Sequence, residues 1–139
     1  MDAAFGPFAI SHSGLRAQRI RIDTIANNIA NINTTRTPEG GPFRRQMVIF
    51  SANPLEPAPI EDGRGVDVPE IVPDMTPFET VYDPGHPDAD ENGYVLLPNV
   101  NVAVEMVDLV SASRSYEANV AAINATKRIL AKALEIIEP

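Results

Sequence analysis

From Val102 onward, alternating steps of four and three residues land on Met106, Leu109, Ser113, Tyr116, Val120, Ile123, Lys127, Leu130, Leu134 and Ile137. Nine of these eleven positions are apolar, and the residues between them are mainly Ala, Ser, Glu, Asn and Arg. An apolar stripe recurring every 3.5 residues over five heptads is the seam of a coiled coil, narrower than the face of a helix in a globule. It predicts a long C-terminal helix, capped by Asn99 or Asn101 after Pro98. Val100, Val102, Val104 and Met106 also alternate, which leaves a short strand before that helix open. A weaker version of the stripe runs near the start of the chain. Leu15, Ile22 and Ile29 lie seven apart, Ile25 and Ile32 fill the second seam position, and Gln18 interrupts it. The expected helix runs from Ser11 or Ser13, as cap, to about Ile32, with Asn33 turning left-handed at its end. Gly14 weakens its first turn by about 1 kcal/mol relative to Ala.

Proline sets the limits of these helices. Nine of the thirteen Pro fall in 51–99, and each removes a backbone donor and disfavours helix in the residue before it. Short strands are expected instead over 43–51, 65–72 and 93–97, bounded by Pro, Gly and Asp. Charge divides the chain in the same way: net +3 over 1–50, −10 over 51–99 and −1 over 100–139. The reading is an α+β chain in three parts. These are an N-terminal helix with its following loop (1–42), an acidic Pro-rich β region (43–99) and a C-terminal helix (100–139). The economical arrangement pairs the two helices as an antiparallel coiled coil, with the acidic region projecting from one end. The alternative pairs each helix with copies from other chains. Both require assembly, because a seam of this length needs a partner throughout.

Composition narrows the chemistry. The 139 residues include no Cys and only two His, His12 and His86. That excludes a disulfide scaffold, a cysteine nucleophile and a His-rich zinc site. No stretch approaches the roughly 18 apolar residues of a membrane span, and the first residues lack the pattern of a cleaved secretory signal. Asp88-Ala-Asp90-Glu-Asn92-Gly93 matches the first half of a calcium loop, with oxygen ligands at alternate positions. A calcium-binding interaction protein using 88–99 is therefore the alternative reading. Against it, Asn99 stands at the twelfth position in place of a bidentate Glu, and Pro84, Pro87 and Pro98 stand where helices should flank the loop. His86, between Asp83 and Asp88, invites a general-base role, but its Pro and Gly neighbours point to a turn. No phosphate loop, nucleophile elbow or His-Glu-x-x-His is present, and no cofactor is implied. Arg16, Arg19, Arg21, Arg44 and Arg45 make a poor nucleic-acid footprint beside so acidic a middle. They suit acidic surfaces of neighbouring chains, or a solvated helix face. Asn27, Asn28, Asn31 and Asn33 place a row of amides at the end of the first helix, able to bond across an interface without burying charge.

Two stretches carry a wider resemblance. Ser13-Gly-Leu-Arg-Ala-Gln-Arg, followed by Ile25-Ala-Asn-Asn-Ile-Ala-Asn-Ile-Asn-Thr-Thr, resembles the N-terminal signature of the flagellar rod and hook axial proteins. Thr35-Arg-Thr-Pro-Glu-Gly-Gly-Pro-Phe-Arg-Arg-Gln, Tyr82-Asp-Pro-Gly-His-Pro-Asp-Ala and Pro98-Asn-Val-Asn-Val narrow the resemblance to the proximal-rod branch. The closing helix is similar as well. Phe43 departs from the usual Tyr, and the tail ends Ile-Ile-Glu-Pro rather than in a basic stretch. The resemblance implies a non-enzymatic subunit of the basal-body rod that transmits motor torque. It also implies export through the flagellar type III apparatus, and contact with copies of itself, other rod proteins and the membrane ring. Its terminal helices are expected to form the inner tube. The assembly residues would then be Leu15, Ile22, Ile25, Ile29, Ile32, Met106, Leu109, Tyr116, Val120, Ile123, Leu130 and Leu134, with the Asn row. Arg16, Arg19 and Arg21 would bond between subunits.

Overall fold

A computed structural model of the chain describes residues 6–52 and 65–137. The tail residues Glu138 and Pro139, and the side chain of Ile137 at the end of the stripe, lie outside what it describes. The order is α1 (Gly6–Ala30), β1 (Gln46–Ala52), β2 (Val66–Pro73), β3 (Glu79–Tyr82), β4 (Tyr94–Leu97) and α2 (Val102–Ile137). The chain is thus α+β, with two helices and two small antiparallel sheets. At 36 residues, α2 is about 54 Å long. No described helix is long and apolar enough to cross a membrane.

The two helices lie side by side and antiparallel. Asn28 meets Glu105, Arg21 meets Asp108, and Gly14 lies against Asn119. Between them Ala17, Ile25 and Ala112 are buried, together with Thr24, Asn28 and Glu105. Small side chains let the backbones come close. A Cβ on Gly14 would stand 3.0 Å from the Asn119 amide, so this glycine trades helix propensity for close packing.

Both helix starts differ from expectation or sharpen it. Ser13 is no cap, because α1 begins at Gly6 and Ser13 lies within it. Its hydroxyl donates to Ile10 O (2.7 Å) and accepts the Val66 N–H (3.0 Å), pinning the start of β2 to α1. At the other end Asn33 does not turn left-handed, since every positive φ among the described residues belongs to glycine. The helix closes instead with tighter i→i+3 bonds, the Ile32 N–H donating to Ile29 O (3.3 Å) and the Thr34 N–H to Asn31 O (3.0 Å). Asn101, not Asn99, caps α2: its Oδ1 accepts the N–H groups of Ala103 (2.9 Å) and Val104 (3.2 Å). With the cap in place, 102–106 is helix and the strand alternative falls away.

β1 and β2 pair from Gln46↔Pro73 to Ala52↔Val66. Between Ile49↔Glu70 and Ser51↔Asp67 the register slips, so Val68 and Pro69 face the single residue Phe50. The bulge falls where Pro69 has no N–H to offer the ladder. β3 and β4 pair from Glu79↔Leu97 to Tyr82↔Tyr94, where the two rings meet edge to face at 5.3 Å. Gly93, at φ +82°, opens β4, and a Cβ there would meet Tyr82 Cε2 at 2.9 Å. β3 was not among the expected strands.

Candidate assembly interface and the polar joint beneath it

Where the helix pair meets the β region, a set of charged and amide side chains closes over Glu105, whose side chain is fully buried. Its Oε1 accepts from Arg45 Nε at 2.6 Å and its Oε2 from Asn28 Nδ2 at 3.1 Å. Asn28, 1% exposed, also forks onto the backbone of β1, donating to Gln46 O and accepting from Gln46 N, both at 2.9 Å. Arg45 reaches Asp74 and Asp108 at 3.5 Å each, and Asp108 holds Arg21 of α1 at 3.2 Å. Asn99 completes the joint: its Oδ1 accepts the Arg45 N–H (2.8 Å) and its amide donates to Asp74 O (3.0 Å) and Thr76 Oγ1 (2.9 Å). One cluster therefore binds α1, α2, β1 and the segment after β2.

The electrostatics agree with the geometry. Burial alone would lower the Arg45 pKa, but the hydrogen bond and charge of Glu105, joined by those of Asp74, outweigh it and raise it. The Asp74 carboxyl is held below the usual carboxylate range, first by the Thr76 backbone N–H. Burial opposes that shift, and the Thr76 side chain and Arg45 reinforce it. Arg45, Asp74, Asn99 and Asp108 were not singled out in the sequence as a joint. The available signal was Glu105, the only carboxylate of α2 whose residue is fully buried among those described.

The expected seam residues divide into two groups. Ile25 is buried between the helices, and Leu15, Ile22, Ile29, Ile32, Leu109, Ile123 and Leu130 are half-buried. Met106, Tyr116, Val120 and Leu134 are exposed. On α2, Glu105 and Ala112 are buried, and Asp108, Leu109, Ser113, Ser115, Asn119, Ile123, Ala125, Thr126 and Leu130 are half-buried. At two positions the inward residue lies one before the expected one, Glu105 for Met106 and Asn119 for Val120, while Ala112 is buried beside a half-buried Ser113. The reason is size and hydrogen bonding. A methionine at 105 could not serve Arg45 and Asn28, and alanine at 112 permits the close approach.

The polar residues divide too. Asn28 and Arg21 bond inside the chain, Asn28 to Glu105 and the Gln46 backbone while 1% exposed, and Arg21 to Asp108 while partly exposed. Asn27 is exposed, with a 3.3 Å contact to Gln46 Oε1, and Asn31 bonds Asn27 and Thr34. Arg16 and Arg19 are exposed beside Leu15 and Tyr116.

The acidic loop is occupied by the protein's own donors. Asp90 Oδ1 accepts the N–H groups of Asn92 and Tyr94, both at 2.8 Å. Asp88 accepts from Thr35 Oγ1 (2.8 Å) and pairs with Arg36 (2.5 Å), while Asn99 is committed to the joint. Among the described residues no three His, Cys or acidic side chains gather to hold a metal. His86 orders its turn, its Nδ1 accepting the Asp88 N–H at 3.0 Å.

Residues 8–36 match the family described as flagella basal body rod protein, and residues 91–136 match the flagellar basal body rod FlgEFG protein C-terminal family. The chain is 49% identical to the flagellar basal-body rod protein FlgC of Borreliella burgdorferi, over 96% of this chain and 97% of that one. It is 47% identical to the FlgC of Bacillus subtilis over the same shares. It is 41% identical to that of Salmonella typhimurium, over 93% and 94%. With such identity sustained along nearly all of both partners, the chain belongs to the flagellar basal-body rod protein FlgC family.

Proposed function

We propose that this chain is a structural subunit of the bacterial flagellar basal body, built into the proximal rod. Its helices pair as a coiled coil that packs against copies of itself and other rod proteins, and the packed helices carry motor torque toward the hook. The role is mechanical rather than catalytic. The chain reaches its place unfolded through the flagellar export apparatus, and the rod it joins meets the membrane ring.

Family membership supports this reading, and the apolar side of α2 turned away from α1 carries it on this chain. Met106, Val107 and Val110 keep 54%, 70% and 53% of their surface exposed. Hiding each on assembly is worth up to about 1.5–3 kcal/mol. Asn27, Arg16 and Arg19 supply polar contacts at the rim. The joint around Glu105 holds the β region at a fixed angle to the helices, as a load-carrying part requires.

The test uses a strain lacking the gene, supplied with the Met106→Asp, Val110→Asp double variant. The purified variant should keep wild-type helicity, while isolated basal bodies lack rods and the cells do not swim. Normal rods built from this variant would overturn the reading.

A further inference from the structure

We infer that the acidic β3–β4 turn of one copy docks on a cationic groove between the helices of the next, carboxylates against guanidinium groups. The inference rests on the rod reading above and names the surface that Arg16 and Arg19 meet. The groove, about 300 Å³, is lined by His12, Leu15, Arg16 and Arg19 of α1 and by Tyr116 of α2. Both arginines are exposed. Asp23 follows Arg19 by one turn and Glu117 adjoins Tyr116, yet among the described residues no carboxylate lies within ion-pair distance of either arginine. Like charges one turn apart on a helix repel. An anion arriving from outside removes that repulsion as well as forming bonds.

The turn has the complementary chemistry. Residues 65–99 contain no Lys or Arg, and the one guanidinium that reaches the turn, Arg36, is on Asp88. Asp83, Asp90 and Glu91 are exposed and belong to no ion pair among the described residues. Asp83 and Asp90 each use Oδ1 on N–H groups of the turn itself, which fixes their direction and leaves the second oxygen for a partner. Beside them Tyr82 and Tyr94 are 64% and 47% exposed. Exposed tyrosine rings next to carboxylates suit arginine twice over, by charge and by the face of the ring.

The fold decides whose turn fills the groove. Asn28 is locked to Glu105 and to the start of β1, and Asn99 ties the end of β4 into the same joint. Asp88 then holds the turn to Thr35 and Arg36, past the end of α1. Arg19 and Arg16 precede Asn28 by nine and twelve residues, about 14 Å and 18 Å along the helix axis. The chain's own turn is anchored away from its own groove. Donor and acceptor toward opposite ends give a head-to-tail contact, the kind that propagates along an assembly.

The chain has no cysteine, so an introduced pair reports alone. Asp23→Cys near the groove and Asn92→Cys in the turn replace exposed side chains. Carried by one chain, they should give dimers and higher multiples when isolated basal bodies are treated with a short bismaleimide. Co-expressed single variants should give dimers only, and each single variant none. Adding Arg19→Glu should lower the linked fraction roughly tenfold, and adding Glu91→Arg to that should restore it. Loss of rods on Arg19→Glu that Glu91→Arg repairs supports the contact equally. Complete rods without cross-links, cross-links indifferent to Arg19→Glu, or a defect that Glu91→Arg leaves unrepaired overturn the contact and leave the rod assignment standing. Absence of the wild-type chain from basal bodies overturns both.

Discussion

Replacing Glu105 by Gln keeps the volume of the side chain and removes one acceptor. In the native joint the two carboxylate oxygens accept from Arg45 Nε (2.6 Å) and Asn28 Nδ2 (3.1 Å). A glutamine offers one oxygen and one NH₂, so whichever way it turns, its NH₂ opposes a donor. Asn28 cannot rotate to relieve this, because both ends of its amide are fixed by the Gln46 backbone. A buried polar group left unsatisfied costs about 1–3 kcal/mol. Losing the charge beneath Arg45 adds to that. It stays below the roughly 3–5 kcal/mol of an orphaned buried ion, because Arg45 is 19% exposed and retains Asp74 and Asp108. The expected loss is about 2–4 kcal/mol, or a fall in Tm of about 10 °C for a chain of this size. Urea and thermal unfolding of the purified protein, followed by circular dichroism, measure it. Lys132→Gln is the control, since its pair with Glu135 leaves the two side chains 77% and 64% exposed and such pairs contribute little. If Glu105→Gln costs no more than this control, the joint does not hold the helices to the β region.

Three further outcomes can be checked on the same protein. The folded pKa of Asp74 is depressed, so its stabilisation is complete above the ordinary carboxylate range and is lost as pH falls through the folded value. Asp74→Asn should flatten stability below about pH 4 relative to wild type, and an unchanged acid limb would contradict the assignment. Gly93→Ala forces a side chain to φ +82° and into Tyr82, so a loss of about 1–3 kcal/mol is expected in thermal unfolding. In hydrogen exchange of the isolated protein, amides at 131–136, whose side chains are all exposed, should exchange far faster than those at 105–119. Equal protection would refute that gradient.

Within this chain, the period of α2 coincides with burial at some positions and not at others, Val102 and Tyr116 being exposed. Leu109, Ile123 and Leu130 sit where the period put them, because large aliphatic side chains facing a helix are what the period detects. Glu105, Ala112 and Asn119 escaped it, since a polar or small residue at a close crossing carries no hydrophobic signal. The strands over 46–52, 66–73 and 94–97 were legible from their aliphatic runs and turn residues. β3 was not, because Glu79-Thr-Val-Tyr is short and exposed along its length, so burial imposed no alternation on it. The joint was hidden for a different reason: its bonds join residues 77 and 60 positions apart, and no local pattern encodes such pairs. The Asn row drew notice, but the sequence alone could not separate Asn28, locked inside, from Asn27 on the rim.

Each sheet has two strands, so every strand leaves one side of its backbone unpaired, the condition under which identical chains crowded together begin to template one another. Here β2 meets that hazard with Pro69 in its bulge and Pro73 at its end, neither able to donate to an incoming strand, and with Asp67 and Glu70 beside them. If copies pack side by side as proposed above, these residues protect them from fibrous stacking.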